Sequence, residues 1–339
     1  MITFWQQQND RLVKLEKDNL DAGKKTWVDA RQVSRDDIRV LEEEFGVQQE
    51  HILDILDPDE LSRVEKEDDY TLFIVRIPLY APQEAVSYFT CALGIILFEE
   101  RIITICWTDC EMLRDFASLR FKSPLLNDFP AFVIRILSRA DITFLRYLKE
   151  INRLSTSIQE ELQRAVQNNE LIKMLNLEKS LVFFTTSLKS NQLLLEKLTR
   201  TRFLNFDADD RDWLEDVEID NRQAIEMADT YSDIMSGMMD AFASVISNNL
   251  NIVMKKLTII SLVLMMPTFI VSFFGMNVPL PLMNSGWFGI TLISVLCLGS
   301  IFAANFFLNR EERKLNRLDR GVRRQKLDGR SQKKLEEEA

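Results

Sequence analysis

Residues 257–274 read LTIISLVLMMPTFIVSFF, and residues 287–308 read WFGITLISVLCLGSIFAANFFL. Both blocks lie within 53 residues, Leu257 to Asn309, that include no Asp, Glu, Lys or Arg. Helices of 18 and 22 residues, at about 1.5 Å per residue, approach or span a hydrocarbon core of about 30 Å. The connecting residues 275–286 hold four Gly or Pro. The pattern predicts a transmembrane helical hairpin, with residues 257–274 as the first helix, 275–286 as an external loop and 287–308 as the second helix.

One face of the first helix carries its polar side chains. Residues in steps of three and four define this face, which we call the seam: Asn251, Met254, Thr258, Ser261, Met265, Thr268, Ser272 and Gly275. Such steps keep side chains on one side of a helix. Every hydroxyl between residues 257 and 274 lies on the seam. Because unpartnered polar groups are costly in hydrocarbon, we expect the seam to face other helices or water.

Two interpretations of the seam are open. Ser and Thr often hydrogen-bond across transmembrane helices without lining a pore. Alternatively, the seam lines a pore, which requires several copies of the chain around a rotation axis, since one hairpin cannot enclose a channel. Asp240 lies 11 residues before Asn251 on the same face, and we expect it to form an acidic ring at the inner mouth of such a pore.

The end of the first helix carries the sequence FGMN at residues 274–277, preceded by MMPTFI at residues 265–270. In this position, before a second helix led by Trp287, the motif resembles that of the CorA family of magnesium transporters. The resemblance covers nearly the whole chain, a large soluble N-terminal part followed by two spans. It implies a homopentameric funnel, with Gly275, Met276 and Asn277 as the selectivity filter.

The resemblance also implies a regulatory metal site between neighbouring soluble domains that holds the pentamer closed. The segment WLEDV at residues 213–217 places one ligand at Asp216, and EHILDIL at residues 50–56 places its partner at Asp54. Leu53 replaces a second acid of the family's pattern, which removes one carboxylate. The alternative for Asp54 and Asp216 is that both lie on solvated helix faces.

The ion determines the chemistry expected at the mouth. Mg²⁺ gives up its bound waters reluctantly, so neutral oxygens such as the Asn277 amide and the Gly275 carbonyl would hold it in hydrated form. Met254 and Met265 would form narrow apolar constrictions. The resemblance favours Mg²⁺ as the transported ion. The alternative cargo is Co²⁺, Ni²⁺ or Zn²⁺, as in the ZntB-like branch. The loop at residues 278–286 holds no acidic residue, which leaves the ion preference open. A hypothesis from another class is a two-span sensor or anchor.

The rest of the chain predicts an α+β fold. We expect a cytoplasmic α/β domain at residues 1–130, long cytoplasmic helices including a stalk at 131–256, the hairpin at 257–309 and a basic tail at 310–339. The predicted elements are strands at Thr26–Ala30, Tyr70–Leu79, Ser87–Leu97 and Arg101–Trp107, helices at Ser34–Phe45 and Glu50–Ile55, a helix reversal at Asn168–Asn169, and a third long helix from Asp207–Asp212 to Ser272.

Charge predicts the orientation. The tail has 11 Lys or Arg against 7 Asp or Glu, Lys255 and Lys256 precede the first span, and the loop is uncharged. The positive-inside rule then places both termini in the cytoplasm. The interspersed acids of the tail disfavour a nucleic-acid-binding arm, and residues 1–30 lack the apolar region of a signal peptide.

Catalytic chemistry is not indicated. His51 is the sole histidine, so one chain cannot supply a two-histidine metal site, and no nucleophile motif or glycine-rich phosphate loop accompanies it. The four cysteines, Cys91, Cys106, Cys110 and Cys297, include no C-x-x-C pair. We expect reduced thiols and a protein that is not an enzyme.

Overall fold

The chain divides into two compact units, Met1–Phe242 and Ala243–Ala339. The computed structural model describes residues 1–8, 11–21, 23–118, 125–164, 168–200, 204, 206–276, 286–287, 290–303 and 306. The division between the units lies inside a single helix, Ala208–Phe274. The domain boundaries predicted at residues 130, 256 and 309 stay predictions.

The first unit is built on a mixed sheet. Its strands, within the described residues, are β1 (Ile2–Gln8), β2 (Arg11–Leu15), β3 (Thr26–Arg31), β4 (Arg63–Lys66), β5 (Thr71–Tyr80), β6 (Tyr88–Leu97) and β7 (Arg101–Cys106). They lie in the order β2-β1-β3-β7-β6-β5-β4. The β3–β7 pair is parallel, with Trp27 opposite Ile102, and the other pairs are antiparallel. The α+β prediction is therefore confirmed.

Long helices follow the sheet. The helices are α1 (Arg35–Glu43), α2 (Gln49–Leu56), α3 (Glu111–Ser118), α4 (Phe129–Arg164), α5 (Asn168–Arg200), α6 (Ala208–Phe274) and α7 (Ile290–Ala303). Short 3-10 turns lie at Lys17–Asn19 and Leu125–Asn127. The predicted reversal at Asn168 and the start of a third long helix after Asp207 are confirmed. Asp207 Oδ1 accepts a hydrogen bond from the Asp210 amide at 2.8 Å, which satisfies one free donor at the start of α6.

The four predicted strands agree with β3, β5, β6 and β7 to within one residue at each end. Strands β1, β2 and β4 were not predicted from the sequence. The start of α1 has the capping box that its sequence suggests, because the Asp37 amide donates to Ser34 Oγ at 3.2 Å and the Ser34 amide donates to Asp37 Oδ2 at 2.9 Å.

Helix α2 lies close against the sheet. Its buried residues Ile52 and Ile55 pack with Leu72 and Ile74 of β5 in one hydrophobic cluster. Gly94 of β6 permits this approach, since a Cβ atom at that position would lie 2.3 Å from Ile55 Cδ1. The contact fixes the position of α2, which carries both Asp54 and His51.

A buried carboxyl group joins α4 to α6. Asp141 is 2 % exposed, and its Oδ1 accepts a hydrogen bond from Asn221 Nδ2 at 3.0 Å. Burial raises the pKa of Asp141 to about 8, because the charged form loses its hydration. The folded protein therefore keeps a proton on Asp141 at pH values where the unfolded chain has released it.

Because buried Asp141 keeps its proton, we expect the free energy of unfolding to depend on pH. Between about pH 4 and pH 8 the folded state binds more protons than the unfolded state, so stability falls as pH rises through this window. Asp141→Asn should remove the slope and raise the free energy of unfolding at pH 8.5 by on the order of a few kcal/mol. The measurement is thermal unfolding of the detergent-solubilised full-length protein at pH 5, 7 and 8.5, followed by tryptophan fluorescence.

The matched control is Asp212→Asn, which removes an exposed carboxylate from the same helix, α6. It should keep the slope of the unmodified protein. An Asp141→Asn variant with that same slope, or with lower stability at pH 8.5, would contradict the assignment.

Candidate ion pathway and metal-binding groups

The membrane-directed end of α6 has one covered face. Within residues 251–276, all of which the structure describes, most side chains are exposed. The half-buried residues are Ile259, Val263, Pro267, Ile270 and Phe274. They recur in steps of three and four, so they share one side of the helix.

Helix α7 covers this face. Its half-buried residues include Ile293 and Cys297, and Cys297 Sγ lies 3.9 Å from the Pro267 carbonyl oxygen. A helix α6 of 67 residues is long and apolar enough to cross a membrane, whereas α7 is a shorter apolar helix. Both observations agree with a membrane hairpin.

The seam lies on the opposite side of α6. At about 100° per residue, the mean direction of the seam residues Asn251 to Ser272 differs from that of the covered face by roughly 170°. Every seam residue from Asn251 to Ser272 is exposed, and the exposed fractions of Met254 and Met265 are 53 % and 61 %. Helix α7 of the same chain therefore leaves the seam open.

Three of the four seam hydroxyls donate within their own helix. Thr258 Oγ1 donates to the Met254 carbonyl at 2.9 Å, Ser261 Oγ donates to the Leu257 carbonyl at 2.9 Å, and Thr268 Oγ1 donates to the Leu264 carbonyl at 2.8 Å. Because each hydroxyl proton is used this way, the oxygen lone pairs remain for outside donors. The seam can thus accept hydrogen bonds from water, including the waters around a cation.

The motif residues Gly275 and Met276 lie at the end of α6. The Gly275 amide donates to the Val271 carbonyl at 2.9 Å, which continues the helical pattern beyond Phe274. The φ of Gly275 lies outside the left-handed region, so the helix does not end here in a left-handed glycine cap. A Cβ atom there would instead lie 3.2 Å from the Val271 oxygen. Asn277 lies outside the described residues.

Asp54 is held by a cation of its own chain. Its Oδ2 lies 2.6 Å from Arg63 Nη2. Arg63 also pairs with Glu60, and its Nε donates to Glu65 Oε1 at 2.7 Å. A metal ion that binds Asp54 must therefore compete with this guanidinium group.

Asp216 and Asp240 are exposed on α6. Among the described residues, the group of three or more His, Cys, Asp or Glu side chains close enough to hold a metal ion is His51, Glu65 and Glu67. Neither Asp54 nor Asp216 belongs to it. The predicted regulatory pair of Asp54 and Asp216 between neighbouring subunits stays a prediction.

Neither Glu65 nor Glu67 was predicted from the sequence as a metal ligand. Glu65 lies in β4 and Glu67 directly follows the strand, and both side chains lie near His51 Nε2. His51 was considered only for two-histidine and nucleophilic sites. The four cysteines are free thiols, as predicted.

Comparison with known proteins gives the family. Residues 23–310 match the family described as "CorA-like Mg²⁺ transporter protein". The chain belongs to the CorA family. CorA proteins are divalent cation transporters of membranes. The family predicted from the motif at residues 274–277 is confirmed.

Two curated CorA relatives extend over most of the chain. The "Cobalt/magnesium transport protein CorA" of Methanocaldococcus jannaschii is 26 % identical over 80 % of this chain and 86 % of its own length. The protein of the same name from Thermotoga maritima is 23 % identical over 76 % of this chain and 74 % of its own length. The complete structure of the CorA magnesium transporter from M. jannaschii superposes with a TM-score of 0.74 at 24 % identity, covering 91 % of this chain and 98 % of that one. This likeness shows a shared CorA fold.

Proposed function

We propose that this CorA chain forms a homopentameric channel that carries Mg²⁺ into the cytoplasm and that intracellular Mg²⁺ closes. The observation that carries the proposal is the placement of the seam opposite the face covered by α7. In a ring with α7 outside, each seam turns toward the axis, so five copies of Thr258, Ser261 and Thr268 would surround one path. Both termini would lie in the cytoplasm, with the loop outside the cell membrane.

The chemistry of the seam suits a hydrated ion. Waters bound to Mg²⁺ direct their hydrogens outward, and a hydroxyl whose proton is donated to its own helix accepts from them. Neutral oxygens attract the hydrated ion without the full charge that would trap it. Met254 and Met265 lie between these hydroxyls and would narrow the path with apolar groups.

The membrane potential supplies the driving force. A divalent ion gains about 4.6 kcal/mol per 100 mV, twice the value for one elementary charge, so inward flux needs no ATP. Co²⁺ is the alternative cargo that the cobalt/magnesium names of the two relatives favour, and Ni²⁺ or Zn²⁺ is a further alternative for the same fold.

Closure of the channel would depend on Asp216, at a metal site between neighbouring subunits. Asp216 is exposed and free to face another chain, whereas Asp54 is paired with Arg63. The proposal therefore assigns the larger share of Mg²⁺ sensing to Asp216. A cation bound between subunits would offset the repulsion of their carboxylates and hold the ring closed.

The test is ion uptake into proteoliposomes with an inside-negative potential. Mg²⁺ should enter, and several millimolar Mg²⁺ on the cytoplasmic side should stop it. Asp216→Ala should keep the flux and lose this inhibition, because the intersubunit ligand is gone. The neighbouring exposed carboxylate gives the matched control, Glu215→Ala, which should be inhibited normally.

Three results would contradict parts of the proposal. Uptake of Co²⁺, Ni²⁺ or Zn²⁺ without Mg²⁺ would replace the cargo. Normal inhibition of Asp216→Ala would remove the gating assignment. No flux of any divalent ion would favour the sensor or anchor hypothesis.

A further inference from the structure

A second group of side chains that could hold a metal ion lies in the first unit, on α2, in β4 and directly after β4. His51 Nε2 lies 3.3 Å from Glu65 Oε2 and 4.0 Å from Glu67 Oε1. The ligand atoms of these three residues lie within 4.8 Å of one another. We call this group the His51 cluster.

The imidazole ring of His51 is held on its buried side by Tyr70. His51 is 7 % exposed, and its Nδ1 lies 2.7 Å from the Tyr70 hydroxyl. That hydroxyl also accepts a hydrogen bond from the Gln48 amide at 3.3 Å. With Nδ1 held inward, Nε2 points toward the two carboxylates. A hydrogen-bond partner on the other ring nitrogen sets the direction and basicity of a histidine ligand.

One oxygen of each carboxylate also accepts a hydrogen bond. Glu65 Oε1 accepts from Arg63 Nε at 2.7 Å, and Glu67 Oε2 accepts from Gln48 Nε2 at 3.3 Å. The other oxygen of each carboxylate is the one nearest His51 Nε2. Three ligand atoms thus converge, and each belongs to a side chain whose other end is already anchored.

We propose that His51, Glu65 and Glu67 form a binding site for a borderline-soft divalent cation of the Co²⁺, Ni²⁺ or Zn²⁺ class. A nitrogen with two carboxylate oxygens is a donor set that these ions take, whereas Mg²⁺ prefers oxygen and water. Metal–ligand bonds of about 2.0–2.2 Å place ligand atoms roughly 3.3–4.2 Å apart. A closure of less than about 1 Å brings the present distances into that range.

The site has an open side for water and for entry of the ion. The side chains of Glu65 and Glu67 are 38 % and 32 % exposed, whereas that of His51 is 8 % exposed. Water can complete the coordination shell on the carboxylate side. The cluster contains neither Asp54 nor Asp216, so it is separate from the regulatory pair and stands whether or not the proposed channel carries Mg²⁺.

The competing account is an ion pair, in which a protonated His51 lies between the two carboxylates without any metal. The two accounts differ in ligands, since a bound metal replaces the proton on Nε2. They can be separated because His51 is the sole histidine in the chain. Any imidazole bound to a metal must therefore be His51.

The experiment is a Co²⁺ titration of the full-length protein in detergent, purified without a histidine tag, with X-ray absorption at the cobalt edge. The probe is Co²⁺ alone, followed by addition of excess Mg²⁺. We expect scattering from one imidazole at one Co²⁺ per chain, retained in a hundredfold excess of Mg²⁺. His51→Gln should lose the imidazole signal and one bound Co²⁺ per chain.

Further variants separate binding from folding. Glu67→Gln keeps the buried ring in place and should weaken Co²⁺ binding by at least about tenfold. Glu50→Gln and Asp68→Asn remove exposed carboxylates from the same region and should bind as the unmodified protein does. Coordination by oxygen alone in the unmodified protein, or unchanged binding by both His51→Gln and Glu67→Gln, would overturn the proposal and leave the ion pair.

Discussion

Replacing Asn277 with alanine is expected to lower Mg²⁺ uptake by at least about tenfold. In the proposed pentamer each amide oxygen accepts a hydrogen bond from the water shell of the ion, and the substitution removes all five acceptors together. One hydrogen bond contributes about 1 kcal/mol net, and 1.4 kcal/mol corresponds to a factor of ten. Loss of even two of the five bonds therefore reaches that factor. The measurement is the initial rate of uptake into proteoliposomes at matched protein density.

Asn284→Ala is the matched control for this prediction. It removes the same amide group from the same loop, outside the motif at residues 274–277, and should transport at the rate of the unmodified protein. Equal rates for Asn277→Ala and the unmodified protein would contradict the filter assignment. With a hairpin that only anchors the soluble unit, neither substitution would change any activity of the protein.

Much of the sheet follows from local sequence. Strands β5 and β6 are ten residues each and almost wholly buried, so their apolar and β-branched runs carry a clear signal. Strand β1 contains three consecutive Gln, and β4 is the four-residue sequence RVEK. Neither sequence resembles that of a buried strand. The position of β1 depends on pairing with β3, and the position of β4 depends on pairing with β5.

The polar core of the first unit could not be predicted from the sequence. Arg76 is 7 % exposed, and its amide donates to Asn191 Oδ1 at 2.9 Å, 115 residues away. Its Nη2 donates to Thr90 Oγ1 at 2.8 Å. Burial lowers the pKa of Arg76, since its charged form loses hydration. The Arg76–Asn191 contact forms only when α5 packs on the sheet, and the Arg76–Thr90 contact forms only when β5 pairs with β6. Nothing in the neighbouring sequence indicates either contact.

The seam shows the same division between local and tertiary information. Its periodicity is a property of one helix and was predicted from Asn251 to Gly275. Which side α7 covers depends on packing, and the structure supplied this through Pro267 and Cys297. The contacts of Asp54 with Arg63 and of His51 with Glu65 also needed the fold, since both join α2 to β4.

Water access along the seam should differ sharply from access on the other exposed sides of α6. In the proposed ring, Ser261 and Thr268 face the axis, whereas Ile260 and Val271 lie more than about 100° from the mean direction of the seam and face lipid. All four are exposed in one chain, so exposure alone does not separate them. Only assembly around a wet path makes the first pair accessible and leaves the second pair in hydrocarbon.

The most direct measurement is reaction of single cysteines at these four positions with a charged, membrane-impermeant thiol reagent during Mg²⁺ uptake. Cys297→Ala is the background, because Cys91, Cys106 and Cys110 are buried. Ser261→Cys and Thr268→Cys should react and lose Mg²⁺ flux, whereas Ile260→Cys and Val271→Cys should stay unreacted and active. Unreactive seam cysteines in a conducting protein, or equal reaction at all four positions, would contradict a water-filled path along the seam.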